Sequence, residues 1–137
     1  MKTCIVGLDV GERRIGMSIS TEGNIARPLL TIDRKTQDTW GEISKIVATH
    51  SPGLLVVGLP RGLDGQDTGQ TIATRSFASE MSTHFEGIRI VFQDEAGTSV
   101  QARELLDGAK KPYQKHEVDS LAACLILEDY LKEKVNK

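Results

Sequence analysis

Four acidic residues in this chain stand beside turn or element-boundary signals: Asp9 in DVGERRIG, Asp94 and Glu95 in VFQDEAG, and Asp119 directly before SLAACLIL. Carboxylate oxygens are hard ligands that suit magnesium or manganese. Two such ions roughly 4 Å apart can activate a water and stabilise the leaving oxygen of a phosphodiester. Each acid also has an ordinary explanation. Asp9 fits a turn aspartate bonding the backbone of Gly11 or Glu12, Asp94 and Glu95 fit solvated strand-end residues, and Asp119 fits a helix N-cap. Side chains alternate along a strand, so Asp94 and Glu95 point to opposite faces unless a bulge intervenes. Glu95 shares the row of Val91 and Gln93, whereas Asp94 continues that of Ile90 and Phe92. The expected catalytic and metal-binding set is therefore Asp9, Glu95 and Asp119, with Asp94 supporting it and Mg2+ or Mn2+ as cofactor.

The net charge of −2 over 137 residues gives no general attraction to nucleic acid, so any such binding depends on local clusters. Candidates for nucleic-acid contact are Arg13, Arg14, Arg61, Lys110, Lys111 and Lys115, all in expected turns or loops. The loop RGLDGQDTG resembles a phosphate-contacting turn, with Gly62, Gly65 and Gly69 leaving amides accessible; an ordinary connection reads equally from the same residues. Lys110 to His116 is either a basic flap over Asp119 or a solvated loop. Aromatics at 4% argue against a broad surface for stacking single-stranded bases. Cys4 and Cys124 form no CxxC pair and have no metal-ligand spacing with a histidine, which predicts buried, reduced thiols. The N-terminal apolar run is interrupted by Gly7 and Asp9, too soon for a signal peptide or membrane span, so a cytoplasmic protein is expected.

The chain must position these acids with a short menu of elements. Lys2 to Asp9, Ile15 to Ser20 and Asn24 to Asp33 read as three antiparallel strands, with Pro28 marking an edge. Helical spacing of Trp40, Ile43, Ile46 and Val47 predicts a helix over 39–50. The wholly apolar GLLVVGL predicts a parallel strand covered on both faces. A second helix over 71–85, a strand over 88–93, a helix over 98–106 and a last helix from Asp119 to Lys134 complete the order. The expected fold is α/β, one domain over residues 1–137. Its five-stranded mixed sheet has three antiparallel strands followed by two parallel ones, flanked by helices, an order that matches a ribonuclease H-like sheet.

Four segments taken together, GLDVGERRIGMSIS, VVGLPRGLDGQ, VFQDEAGTSVQARELL and EVDSLAACLILEDYL, make the chain resemble the YqgF-type (RuvX-like) family. That family is described as pre-16S rRNA nucleases or Holliday junction resolvases. The resemblance implies a ribonuclease H-like fold, a cytoplasmic role trimming the 5′ end of a ribosomal RNA precursor, and Asp9, Glu95 and Asp119 as the matching catalytic acids. Two residues depart from the family pattern: Ala96 stands where an arginine is usual, and Glu12 where a small hydroxyl residue is commoner. The DxG turn also resembles the phosphate loop of actin-like ATPases, which need two such domains. The partner is expected to be nucleic acid, either an rRNA precursor or branched DNA, met by a monomer or homodimer and away from membranes. A reading of a different class is a non-catalytic nucleic-acid or ribosome-assembly binding module.

Overall fold

A computed structural model of the chain describes residues 4–22, 25–62, 64–95, 105 and 115–135. Strands β1 (Ile5–Val10) and β2 (Arg14–Glu22) form a hairpin whose turn is closed by the Gly11 amide donating to the Arg14 carbonyl at 2.9 Å. Strand β3 (Ile25–Asp33) pairs antiparallel with β2, and Pro28, which has no N–H to donate, is placed on this outermost strand. Helix α1 (Thr39–His50), strand β4 (Leu54–Pro60), helix α2 (Gly69–His84) and strand β5 (Arg89–Glu95) follow, with β4 parallel to both β1 and β5. The sheet order β3-β2-β1-β4-β5 puts β1 in the centre.

The two faces of the sheet carry different side chains. Val6, Leu8, Ile15, Met17, Leu55 and Val57 meet Ile43, Ile46, Phe77 and Met81 from α1 and α2 in the main core. Trp40 stacks on Phe77 at 4.8 Å and so ties the two helices together. The opposite face receives the last helix, α3 (Lys115–Val135), whose Ile126, Leu127 and Leu131 pack on Leu54 and Val56. Both faces of β4 are therefore dry, which is why its sequence is apolar throughout rather than alternating. On the α3 side, β1 and β2 present Gly7, Gly16 and Ser18, and β4 presents Gly58. A Cβ on Gly16 would collide with the Asp119 carbonyl, and one on Gly58 with the Ile126 side chain. These small residues bring the helix down onto the strands, and the Ser18 hydroxyl donates to the Ala123 carbonyl at 2.7 Å.

Two sequence expectations are corrected here. The last helix starts at Lys115, not Asp119, so Asp119 is not its N-cap and Lys115 is not a loop residue. The segment between Pro112 and Asp119 contains no Gly or Pro, and Glu117 in the first turn complements the helix dipole, so the helix begins earlier than the apolar run. The expected helix over 98–106, except Leu105, lies outside the described residues, as do Ala96, Lys110 and Lys111 and the side chains of Lys115 and His116. Among the described residues, no helix is long and apolar enough to cross a membrane.

Candidate active site

Strand register decides which acids share a face. Asp9 pairs with Gly16 across the hairpin, and Leu8 pairs with Val57, so the next row brings Asp9 beside Gly58. Gly58 in turn pairs with Gln93, and Pro60 with Glu95. Residues paired across a sheet lie on the same side of it. Asp9, Gln93 and Glu95 therefore project to the face covered by α3, whereas Asp94 projects to the other. The Asp94 side chain is 70% exposed and accepts from Nε and Nη2 of Arg61 at 3.3 Å; Arg61 also bridges to Asp67. Glu95 is half-buried, with Oε1 withdrawn from solvent.

Asp119 reaches the site from the second turn of α3. The close approach of that turn to Gly16 sets its carboxylate near Asp9 at the end of β1. The Asp119 side chain is 17% exposed and accepts from Arg14 Nε at 2.6 Å, a short charge-assisted bond. Burial, and secondarily the negative charge of Asp119, push the Asp9 carboxyl up to about 6. Asp9 does not serve as a turn cap for Gly11, whose amide is already taken by Arg14.

Two carboxylates this close, one of them held partly protonated by burial and repulsion, suit a hard divalent cation chemically: the cation would relieve the repulsion that raises Asp9. Asp9 and Asp119 fit that role. Among the described residues, no group of three or more His, Cys, Asp or Glu is gathered tightly enough to hold an ion, so Glu95 shares the face without closing a three-carboxylate cage. Arg14 supplies the positive charge beside the pair.

The arginines expected to contact nucleic acid all have acidic partners. Arg13 pairs with Asp33 at 3.1 Å, Arg14 with Asp119, and Arg61 with Asp67 and Asp94. The loop after β4 spends its amides internally: Gly62 donates to the Gln66 carbonyl, Gly65 to the Gly62 carbonyl and Asp64 to the Gln66 side chain. The Gly62 and Gly65 amides are thus taken within the loop, contrary to the expectation that they are accessible. Sequence reasoning missed Arg14 as a partner of Asp119, and it missed the buried Gln93. A glutamine within an otherwise apolar row leading to Glu95 was the available signal for the second; nothing local to Arg14 marks the first.

Comparison with known proteins gives a consistent result. The family model described as RuvX, Holliday junction resolvase, matches residues 3–133. A Legionella pneumophila protein named "Putative pre-16S rRNA nuclease" is 36% identical over 132 residues, covering 93% of this chain and 94% of its own length. A Nitrosospira multiformis protein of the same name is 38% identical over 133 residues, covering 94% of this chain and 87% of its own. Among solved structures, T. thermophilus RuvC in complex with Holliday junction substrate superposes with a TM-score of 0.56 at 13% identity, covering 98% of this chain and 97% of that one. The yeast mitochondrial Holliday junction resolvase Ydc2 gives 0.53 at 10% identity, covering 98% and 80%. Identities this low speak to the fold alone, which is ribonuclease H-like.

Proposed function

Because this chain belongs to the RuvX family, we propose that it is a divalent-metal-dependent nuclease that hydrolyses phosphodiester bonds in the 5′ processing of pre-16S rRNA in the cytoplasm. The observation that carries the reading is the Asp9–Asp119 pair. A buried carboxyl raised to about 6 by burial and by a second acid, at the end of the central strand of a ribonuclease H-like sheet, is a site under electrostatic load. The relatives' names support the RNA substrate.

In this reading Asp9 and Asp119 hold the cation, Mg2+ or Mn2+, and Glu95 approaches from the same face to complete the catalytic set. When bound, the cation supplies Lewis-acid stabilisation of charge on the phosphoryl oxygens. Asp94, turned away from that face, supports the site by fixing Arg61. Arg14 orients Asp119, while Arg13, Arg61, Lys110, Lys111 and Lys115 provide the cationic rim for the phosphate backbone. Hydrolysis transfers a water oxygen to phosphorus, breaks one P–O bond and leaves a protonated alcohol on the departing strand.

The second reading, a Holliday junction resolvase, is favoured by the family description and by the backbone likeness to RuvC. It requires two sites and hence a homodimer, whereas trimming one RNA end needs only a monomer. A direct comparison separates them. Incubated with Mg2+ or Mn2+, the protein is expected to cut a 5′-extended 16S precursor fragment and to leave a four-way DNA junction intact. Symmetric cutting of the junction with no cleavage of the RNA would transfer the assignment to the resolvase, and tight binding of RNA with cleavage of neither would transfer it to a binding module.

A further inference from the structure

Asp33, the last residue of β3, pairs with Arg14 at the same end of the sheet as Asp9, and the residue after it clasps the turn between β1 and β2. The Arg34 backbone amide donates to the Arg13 carbonyl at 2.8 Å, and its Nη1 donates to the Gly11 carbonyl, also at 2.8 Å. The guanidinium carbon stands 5.2 Å from the centre of the Phe77 ring, on which Trp40 stacks in turn. Carbonyl and ring thus hold the long side chain in place although the residue is exposed. A guanidinium already ordered gives up less side-chain freedom when it takes a ligand.

Its charge is unspent. Arg13, Arg14 and Arg61 each face a carboxylate, so a phosphate that meets them must share the arginine with an acid. Arg34 makes no ion pair among the described residues. Glu12, in the same turn, is exposed and does not pair with it, and the Asp33 carboxylate is taken by Arg13 and by the Lys35 amide. The guanidinium presents several N–H donors in a planar fork and commits one of them to Gly11. Such a fork matches the oxygens of a phosphate, and an aromatic ring beside it shields the cation from water without neutralising it.

Gly11 follows Asp9 by two residues, at most about 7 Å of extended chain. A nucleic-acid strand carries one phosphate for roughly every 3.4 Å of its axis, so a strand held at Asp9 brings its neighbouring phosphates to this turn. We infer that Arg34 is a phosphate-binding residue that grips the substrate backbone beside the phosphate at Asp9 and leads the strand across the β1–β2 turn towards α2. The inference rests on the nuclease reading for what lies at Asp9. A contact of this kind fixes the register of the strand and reads no sequence.

Anisotropy of a fluorescein-labelled single-stranded RNA dodecamer, titrated with the full chain in EDTA between about 50 and 200 mM salt, tests this without calling on catalysis. Each phosphate contact contributes about 0.7 to the slope of log K against log salt for a single strand. Arg34→Gln is expected to reduce the slope by that amount and to weaken binding severalfold at the lowest salt, whereas Arg34→Lys, which keeps the charge, should hold the slope. Arg89→Gln removes the same charge from an exposed site at the opposite end of the sheet and should leave the slope at its wild-type value. The same pattern is expected with a DNA dodecamer, since the phosphate is common to both. A wild-type slope in Arg34→Gln would overturn the inference, as would an equal loss in Arg89→Gln or no binding by the wild type at any of these salts. So would a slope that falls as far in Arg34→Lys as in Arg34→Gln while both unfold at lower urea, because the residue then only clasps the turn. If the wild type cuts RNA in Mn2+ while Arg34→Gln keeps the wild-type slope, the grip falls and the nuclease reading stands; the expected slopes in a protein that cuts nothing keep the grip and pass the chain to the binding-module reading.

Discussion

Asp9 concentrates the electrostatic cost of the site. Its carboxyl ionises near 3.8 in the unfolded chain and near 6 in the folded one. Between those values the native state keeps a proton that the unfolded state has lost, so stability falls as pH rises through this window, and the full cost is present above pH 6. A shift of this size corresponds to roughly 2–3 kcal/mol. In EDTA at pH 7.5, Asp9→Asn is therefore expected to be more stable than wild type by about that amount in urea denaturation, with the difference vanishing near pH 4. A difference independent of pH would contradict the account of the site. This load is not visible in the sequence, where Asp9 reads as well as a turn cap; it arises first from burial in the fold and then from the charge of Asp119, 110 residues later.

The elements were largely legible. The apolar run GLLVVGL and the alternation of IGMSIS give β4 and β2, and Pro28 marks the sheet edge, because burial on one face or two writes itself into local pattern. The start of α3 was not legible, since an aspartate before an apolar run reads as a cap whether or not helix precedes it. The small residues Gly7, Gly16 and Ser18 could not be read as a helix seat, because the partner is distant in sequence. Gly16→Ala tests the seat. The added methyl meets the Asp119 backbone rather than a flexible side-chain end, so α3 must shift. A loss of roughly 1–3 kcal/mol is expected in thermal or urea unfolding, together with a fall in cleavage. Wild-type stability would show that α3 does not sit as closely as described.

On the scale of the whole molecule, the net charge is −2, and Arg13, Arg14 and Arg61 are each paired with an acid. The fold class could be read from the order of elements, whereas Asp119 stands in the second turn of α3 and not at its start as the sequence led one to expect. Which acids face one another could not be read, because that depends on register between strands and on a helix crossing the sheet. The central claim is that Asp9 and Asp119 together hold the cation on which cleavage depends. Cleavage of an end-labelled 16S precursor fragment by wild type, Asp9→Asn and Asp119→Asn, with Mn2+ titrated from zero, tests it most directly. The account predicts no cutting without metal, saturable cutting by wild type, and a loss of at least about 100-fold in each variant at saturating Mn2+. Metal-independent cutting, or variants that cut at the wild-type rate, would contradict it.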